Sequence, residues 1–513
     1  MSISDFKLLN FSSMKNCIYI VVFAGLVGLT ACSKKYLNEL KVENGNLTEG
    51  IIFTTRAGAE SVLTGIYWIY RSENYNGYFS TYNNTGGGGL TLRGLELDQF
   101  FFDVRGNDVF SDPTGYWSSE TNWGENALGR ISIGIRTKAT WEMFYKAINN
   151  ANAVIKNVPK IPETQAVKDG LIAEAKALRA YSYFWLARIY QFNYAKDPTA
   201  KAVPIYTDPY DGSGEGKARA SLKEVYDLIL SDLNEAVTVL TATRTAKYRI
   251  NKNVAQGILA QVYQEMAGNV SNSSFWEGAR LNAAAARSGF SLMSNATYQA
   301  GFNDLANGEW MWSLPVPVDQ TLSYYSLYSY IDPDNGYYRN IYINDAFVGL
   351  FTATDTRKTL FRKVTANAAT PWKLWQTTKY KAKTATSGDI LIMRSVEMVF
   401  IEAEALAQQG KLQEATDLLF SIQGLRDPVA VKLAAASTKD DIINAILLER
   451  RKELFAETGT EFFDLKRYQR SLQRGGNHWS PLTLPVNDKR WLFQIPQSEV
   501  DANPNINESD QNP

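Results

Sequence analysis

Acidic side chains in the last quarter of the sequence are the first candidates for chemistry, because two carboxyl groups that flank a glycosidic bond can hydrolyse it. The candidates are Glu397, Glu404, Glu449, Glu453 and Glu457. Arginines stand at helical spacing from them, since Arg394 lies three positions before Glu397 and Arg450 three before Glu453. Opposite charges at this spacing share a helix face and pair. We therefore predict structural ion pairs here and no catalytic residue.

The predicted ion-pair network joins the last helices of the chain. Its expected members are Arg394, Glu397, Glu404, Arg450, Glu453, Glu457, Asp464 and Arg467, and Lys466 extends it. Glu457, Asp464 and Arg467 fall where a helical pattern gives way to the segment EFFDLKRY. We expect their paired charges to hold that corner together, since breaking a buried pair from one side costs about 3–5 kcal/mol.

Composition excludes several functional classes. The chain has 53 Lys+Arg and 53 Asp+Glu residues, so it has no net charge and no excess of basic residues with which to bind nucleic acid. The only cysteines are Cys17 and Cys32, so the rest of the chain has no disulfide, thiolate nucleophile or cysteine metal site. A single histidine, His478, argues against a histidine zinc cluster and a Ser-His-Asp triad.

Two short patterns in the first third of the chain bear on phosphate and metal binding. Gly86 to Gly89 form a glycine run without the Gly-Lys-Ser/Thr that completes a phosphate loop. Asp103, Asp108 and Asp112 could ligate calcium, but their spacing departs from that of an EF-hand. We predict no metal and no cofactor, and the calcium alternative stays open.

Aromatic residues are concentrated outside the helical patterns, with 32 of the 64 in residues 66–145 and 310–380. An aromatic ring packs on the C–H face of a sugar while neighbouring polar groups bond its hydroxyls, so these segments are candidates for carbohydrate binding. The expected ligand-binding residues are Arg105, Asn107, Trp117, Trp123, Trp312, Tyr324 and Tyr325. The alternative is that most of these rings pack the loops against the helices.

Helical periodicity positions these loops. The stripe of Ile392, Val396, Val399, Ala403 and Leu406 predicts an amphipathic helix. A glycine at 410 ends it, and a second helical pattern begins at once, which indicates the turn of a tetratricopeptide-like hairpin.

The same pattern recurs along the chain. We predict a mostly α-helical fold of about four such hairpins, mainly in residues 140–290 and 390–460. Long, irregular, aromatic-rich insertions occupy about 72–135 and 300–388, and WMWSLPVPV within the second has the composition of a strand.

The N-terminus has the features of a targeting segment. Lys15 precedes an apolar run from Ile18 to Leu29, and small residues lead to Cys32. The run is too short for a membrane span, which takes about 20 residues. This arrangement is typical of a bacterial lipoprotein signal, so we predict a signal peptide over 1–31, lipidation of Cys32 and a polar tether over 32–50. The predicted body is a single domain over 51–513, and Met14 is an alternative start.

Four sequence segments in this order resemble the SusD/RagB nutrient-binding outer-membrane lipoproteins of Bacteroidetes: RSVEMVFIEAEAL, GLR, ERRKELFAETGTEFFDLKRY and LFQIPQSEVDANPNINESDQNP. The resemblance extends over essentially all of 32–513. It implies a SusD-like fold in which loops between the helices hold the ligand.

The resemblance also implies a function. The expected protein is non-catalytic, anchored to the outer membrane by its N-terminal lipid and facing the cell surface. It would bind oligosaccharide and deliver it to a SusC-like TonB-dependent transporter. The residues after Cys32 are Ser33-Lys34-Lys35, which lack the acidic run that often accompanies surface export. A peptide-binding RagB-like protein and, less favoured, a glycoside hydrolase are the alternatives.

Lipidation of Cys32 predicts that Cys32→Ser moves the protein out of the membrane fraction, because each buried acyl methylene contributes about 0.8 kcal/mol to membrane binding. Fractionation and immunoblotting measure this, with Cys17→Ser as the control that should remain membrane-bound. A Cys32→Ser protein that stays in the membrane at normal abundance would place the anchor elsewhere.

Overall fold

The computed structural model describes residues 52–72, 91–126, 129–210, 214–271, 273–365, 367–384 and 386–513. The chain divides between Thr54 and Thr55, and residues 55–513 form one compact unit. The predicted signal peptide, the tether, Cys32 and the glycine run 86–89 lie outside the described residues. None of the described helices is both long and apolar enough to cross a membrane.

Sixteen α-helices and eight short strands make up the regular structure of the described residues. The helices are α1 (Arg56–Ser72), α2 (Gly94–Val104), α3 (Ser118–Thr121), α4 (Ile135–Asn157), α5 (Gln165–Tyr190), α6 (Leu222–Val239), α7 (Lys252–Ala267), α8 (Phe275–Ala286), α9 (Asn295–Tyr298), α10 (Leu327–Ile331), α11 (Asp345–Val348), α12 (Ser395–Gln408), α13 (Leu412–Arg426), α14 (Lys439–Glu453), α15 (Thr460–Arg467) and α16 (Gln497–Ala502). The strands are β1 (Val109–Ser111), β2 (Trp310–Leu314), β3 (Ile341–Ile343), β4 (Phe361–Lys363), β5 (Trp375–Thr377), β6 (Ile390–Arg394), β7 (Leu472–Gln473) and β8 (Thr483–Leu484). The predicted, mostly α-helical fold is confirmed.

The long helices pack as a continuous array in chain order, in which α4, α5, α6, α7, α8, α12 and α13 each pack on the next helix of this series. In α5, Ala173, Ala177, Ala180 and Ala187 are buried, and small side chains at such positions let helix axes approach to about 8 Å. Helix α8 packs on α12, which follows the second insertion. The insertion therefore lies in the chain between two helices that are neighbours in the array.

Helix α12 is enclosed along its whole length, with every residue from Ser395 to Gln408 buried. Its apolar side chains, Val399 and Leu406 among them, pack in one cluster with residues of α13 and α14 such as Leu419 and Ile446. Gly410 has φ +77°, a backbone conformation that side chains disfavour, and so it makes the turn into α13. The predicted hairpin is formed.

The start of α12 differs from the prediction. Ile392 was expected in the helical stripe, but it lies in β6, which pairs antiparallel with β2. Its neighbourhood, Ile390-Leu-Ile392, is rich in β-branched side chains, and these favour a pleated, buried strand. Strand β2 is the WMWSL segment, so the predicted strand there is confirmed.

The carboxylate of Glu453, at the end of α14, is fully buried and accepts bonds from three guanidinium groups. Arg394 reaches it at 2.9 Å, Arg426 at 3.0 Å and Arg357 at 3.1 Å. Burial alone would raise the pKa of Glu453, but the three arginines together hold that pKa well below its usual range. The carboxylate is therefore charged at every physiological pH.

The ion pairs in the structure differ from those predicted from helical spacing in the sequence. Arg394 does not pair with Glu397, because it ends a strand and extends to Glu453 and Glu457 instead. Arg450 does not pair with Glu453 but with Glu397 at 3.2 Å and Asp464 at 3.1 Å. The described network runs between elements rather than along one helix.

The expected corner is also paired differently. Arg467 bonds Glu404 at 2.5 Å and Asp464 at 2.9 Å, whereas Glu457 pairs with Arg394 and, at 2.6 Å, with Lys379. Burial lowers the pKa of Lys379 to about 8, and the nearby Glu457 opposes that shift. Glu457, Asp464 and Arg467 therefore do not form the single ion-pair cluster that was predicted. They belong to two clusters, one around Arg467 and one around Glu457.

Glu453→Gln should lower the free energy of unfolding by about 3–5 kcal/mol, because three buried guanidinium groups lose their shared charge. A group whose pKa falls on folding stabilises the protein above its unfolded pKa, here 4.5, and this contribution is lost as pH falls below that value. The wild type should thus lose stability on acidification below 4.5 more steeply than the variant.

Chemical denaturation at several pH values measures both effects. The matched control is Glu414→Gln, which neutralises an exposed carboxylate on α13 and should change stability by less than about 0.5 kcal/mol. Equal stability of Glu453→Gln and the wild type would show that the fold does not depend on this carboxylate.

Candidate ligand-binding cleft

A small sheet joins the two aromatic insertions. Strand β1 of the first insertion pairs antiparallel with β3 of the second, with Ser111 opposite Ile341. The ladder continues past the strands, since the Asp112 amide donates to the Asn340 carbonyl at 2.7 Å. The segment after β1 and the segment before β3 therefore lie side by side, and this brings Tyr116 to Tyr338.

The tyrosines of both segments form one cluster. The ring centroids of Tyr116 and Tyr338 are 4.5 Å apart, and Tyr338 stacks on Tyr330 at 5.2 Å. Tyr337 meets the ring of Tyr324 at 4.2 Å, edge to face. Tyr337 is 59% exposed and Tyr324 41%, whereas Tyr330 is buried beneath. Burial, with the nearby Tyr116, raises the pKa of Tyr338, so its hydroxyl is neutral at physiological pH.

Two rings of the cluster, Tyr116 and Tyr338, line a cleft of about 650 Å³, which we call the tyrosine cleft. Its walls are Thr91, Thr114, Gly115, Tyr116, Trp117, Ser118, Ser119, Glu120, Tyr338 and Asn340. Hydroxyl and amide groups thus stand beside the rings. Gly115 permits the close approach of the two segments, because a Cβ there would lie 2.4 Å from Asn340 Nδ2.

Asn340 is the most specifically placed polar group of the wall. Its Nδ2 donates to the Tyr116 carbonyl at 2.6 Å, which fixes the orientation of the amide. Its Oδ1 is buried and accepts no hydrogen bond from any residue that the structure describes. A buried acceptor without a partner costs about 1–3 kcal/mol, and the other contacts of Asn340 offset this cost.

An ion-pair layer supports the wall from behind. Arg136 on α4 is fully buried and donates to Glu120 at 3.0 Å and to Asp98 at 3.2 Å. Its guanidinium lies 5.3 Å from the ring of Trp117, whose backbone has the strained φ of +74°. The layer fixes the turn that carries Tyr116 into the cleft.

The three predicted tryptophans are buried. Trp312 is fully enclosed, packs on Tyr181 at 4.9 Å and donates its Nε1–H to the Tyr248 carbonyl. Trp123 donates to the Arg105 carbonyl at 2.9 Å, and Trp117 lines the cleft but is only 1% exposed. The exposure that ring stacking needs is absent, and these rings pack the loops against the body.

Arg105 and Asn107 are buried too. The Arg105 guanidinium lies 3.8 Å from the ring of Trp123, and burial lowers its pKa. The Asn107 Oδ1 accepts from the Gly475 amide at 3.0 Å. Neither side chain lines the tyrosine cleft, and both support the loop from which β1 begins.

Tyr324 and Tyr325 are the predicted ligand residues with accessible rings, and neither lines the tyrosine cleft. Tyr324 joins the tyrosine cluster through Tyr337. Tyr325 is half-buried, and the Arg93 guanidinium lies 4.9 Å from its ring. Of the seven predicted ligand residues, Tyr324 has the largest exposed ring.

The three aspartates considered as calcium ligands each contact a different residue. Asp103 accepts from the Gly459 amide at 2.9 Å, Asp108 pairs with Arg451, and Asp112 pairs with Lys373. These contacts tie the first insertion to α14 and to the second insertion.

Sequence analysis missed Tyr116, Tyr337, Tyr338 and Asn340. Two local signals were available: the turn sequence DPDNG directly before Tyr337, and the alternating segment NIYI that follows as β3. What neither signal contains is the partner strand, since β1 lies in the other insertion. The cleft is a product of that long-range pairing.

Two family profiles match this chain. Residues 93–264 match the family described as "Starch-binding associating with outer membrane", and residues 352–513 match the family described as "SusD family". The SusD-like protein P38 of Formosa agariphila is 25% identical over 388 residues, which are 65% of this chain and 72% of that protein.

Solved structures have the same fold. A SusD-like carbohydrate binding protein from Bacteroides vulgatus is 27% identical, with a TM-score of 0.76 over 89% of this chain and 98% of that one. A SusD superfamily protein from Bacteroides thetaiotaomicron, 23% identical, gives a TM-score of 0.73 over 90% of this chain and 100% of that one. At 23% identity, the comparison with the Bacteroides thetaiotaomicron protein shows a shared fold alone.

Proposed function

Because this chain belongs to the SusD/RagB family, and one matching profile is described as starch-binding and associating with the outer membrane, we propose that it is a non-catalytic, lipid-anchored protein that binds oligosaccharide in the tyrosine cleft. The observation that carries this proposal is the tyrosine cluster, in which exposed rings of Tyr324 and Tyr337 adjoin the half-buried Tyr116 and Tyr338. Such rings offer platforms for the apolar faces of sugars.

The cleft also meets the polar requirement of a sugar. Ser118 and Ser119 supply hydroxyl groups to the wall of the cleft. The ring contacts between Tyr116, Tyr330 and Tyr338 hold the platform in place before ligand arrives. Preorganisation lowers the entropy cost of binding, so modest contact area suffices for useful affinity.

The walls favour binding over hydrolysis. A glycosidase places two carboxyl groups on either side of the scissile bond. Glu120 is the one acidic residue among the described lining residues, and it is buried and ion-paired with Arg136. A lone, neutralised carboxylate behind the wall lacks the partner that glycoside hydrolysis requires.

The proposed ligand path leads to a transporter. The expected lipid at Cys32 would hold the protein at the outer membrane, and the family resemblance implies a SusC-like TonB-dependent channel as the partner. We propose that the protein captures oligosaccharide at the cleft and passes it to that channel on the cell surface.

Tyr338→Ala should weaken oligosaccharide binding by about 2 kcal/mol, about thirtyfold, because it removes the central ring of the platform. Calorimetry with glycans selected from an array measures the affinity. Tyr210→Ala is the matched control, since it removes a tyrosine ring that is 69% exposed outside the cleft and should leave affinity unchanged.

Trp312→Ala provides the opposite control. It should lower the free energy of unfolding by about 3–5 kcal/mol while the folded fraction binds normally, since Trp312 is a core ring. Unchanged glycan binding by folded Tyr338→Ala would contradict the cleft assignment, and binding of peptides in place of glycans would favour the RagB-like alternative.

If the protein forms a complex with such a channel, mild-detergent affinity purification of the tagged full-length protein should recover a large outer-membrane β-barrel protein in near-equal amount. Mass spectrometry identifies and quantifies it. The Cys32→Ser protein, detached from the membrane, is the control that should recover much less. Recovery of the tagged protein alone, under conditions that keep barrels intact, would count against delivery to a channel.

A further inference from the structure

We infer that the exposed rings of Tyr324 and Tyr337 form a second contact surface for the same ligand, next to the tyrosine cleft, so that the protein selects oligosaccharides long enough to cover both. This inference rests on the proposed function and adds chain length to the ligand class of that site. It follows from the position, the exposure and the support of the two rings.

Ring contacts connect the exposed pair to the cleft. The ring centroid of Tyr338, which lines the cleft, lies 5.2 Å from that of Tyr337 and 6.3 Å from that of Tyr324. Tyr116, the other tyrosine of the lining, lies 4.5 Å from Tyr338. A sugar chain that packs on Tyr338 in the cleft therefore reaches the pair with its next residues.

Exposure distinguishes the pair from the other rings of the cluster. Tyr324 and Tyr337 are exposed, whereas Tyr116 and Tyr338 are half-buried and Tyr330 is buried. A single exposed apolar side chain is common on protein surfaces and needs no explanation. Two adjacent aromatic rings that continue a ligand cleft are different, because the C–H faces of a sugar chain can pack on them as well.

One buried helix supports both rings. The Tyr338 amide donates to the Ser329 carbonyl of α10 at 2.7 Å, which fixes the backbone beside Tyr337. Tyr324 precedes the same helix, all of whose residues are buried. The two rings meet edge to face with their centroids 4.2 Å apart. The pair is therefore in place before ligand arrives, and this lowers the entropy cost of the contact.

Two contact surfaces for one ligand predict that affinity depends on chain length. Once the cleft holds one part of the chain, the contact of the next part with the pair is intramolecular, so it adds affinity at little further entropy cost. A chain too short to extend beyond the cleft gains nothing from the pair. Affinity should therefore rise with chain length until both surfaces are covered and stay constant for longer chains.

The test measures affinity against chain length with the full-length protein in mild detergent. The probes are malto-, xylo-, cello-, manno- and laminari-oligosaccharides from the disaccharide to the hexasaccharide. Calorimetry measures the hexasaccharides, and competition against them measures the shorter chains. In each series whose hexasaccharide binding Tyr338→Ala weakens, the hexasaccharide should bind at least about tenfold more tightly than the disaccharide.

Variants of the pair test the cause. Tyr337→Ala should lower hexasaccharide affinity about tenfold and disaccharide affinity much less, and Tyr324→Ala should act in the same direction. Tyr337→Phe keeps the ring and should retain most of the length dependence. The matched control is Tyr210→Ala, which removes an exposed tyrosine outside the cleft and should leave the length dependence unchanged. Tyr338→Ala should weaken the binding of every chain length, because its ring lines the cleft.

The outcomes separate the inference from the proposed function, with circular dichroism melting to identify folded variants. Tyr338-dependent binding that is equal for di- and hexasaccharide would overturn the inference and leave carbohydrate binding in the cleft in place. So would a length dependence that folded Tyr337→Ala and Tyr324→Ala both retain, and lower recovery of the β-barrel protein by these variants would then assign the pair to the channel interface. No Tyr338-dependent binding in any series would overturn the proposed function, and the inference with it.

Discussion

Three guanidinium groups share the carboxylate of Glu453, and each arrives from a different part of the chain. Arg394 ends β6, Arg426 ends α13, and Arg357 belongs to the second insertion. Because these charges are buried, none can be left without its partner at small cost. The position of the insertion relative to the helical array is thus fixed by one carboxylate as much as by apolar packing.

The same constraint extends to the cleft. The insertion that Arg357 anchors also carries β3, and β3 aligns β1 of the first insertion. Asp108, beside β1, pairs with Arg451 on α14, two positions before Glu453. Both strands that position the tyrosines are therefore tied to the end of one helix, which makes the cleft a rigid extension of the helical body rather than a pair of independent loops.

Local patterns predicted the helical part of this protein well. The spacing of Val396, Val399 and Leu406 and the glycine at 410 determine the α12 hairpin through interactions within a few turns of helix. The cleft depends on long-range pairing, and no local pattern distinguishes the half-buried Tyr338 from the fully buried Trp312. Large aromatic rings serve as core and as binding surface alike, so composition could indicate the insertions but not the residues. The ion pairs show the same limit, because Arg394 extends from a strand end to a distant helix.

The tyrosine cleft joins residues that are far apart along the chain: Asn340 and Tyr116, whose hydrogen bond connects its walls, are 224 positions apart. Contacts of such high sequence separation close late in folding, because the entropy of a large loop must be lost before they form. During synthesis α4 to α7 can fold from local contacts before the second insertion is available. The tyrosine cleft is therefore completed late in folding, when the second insertion has docked.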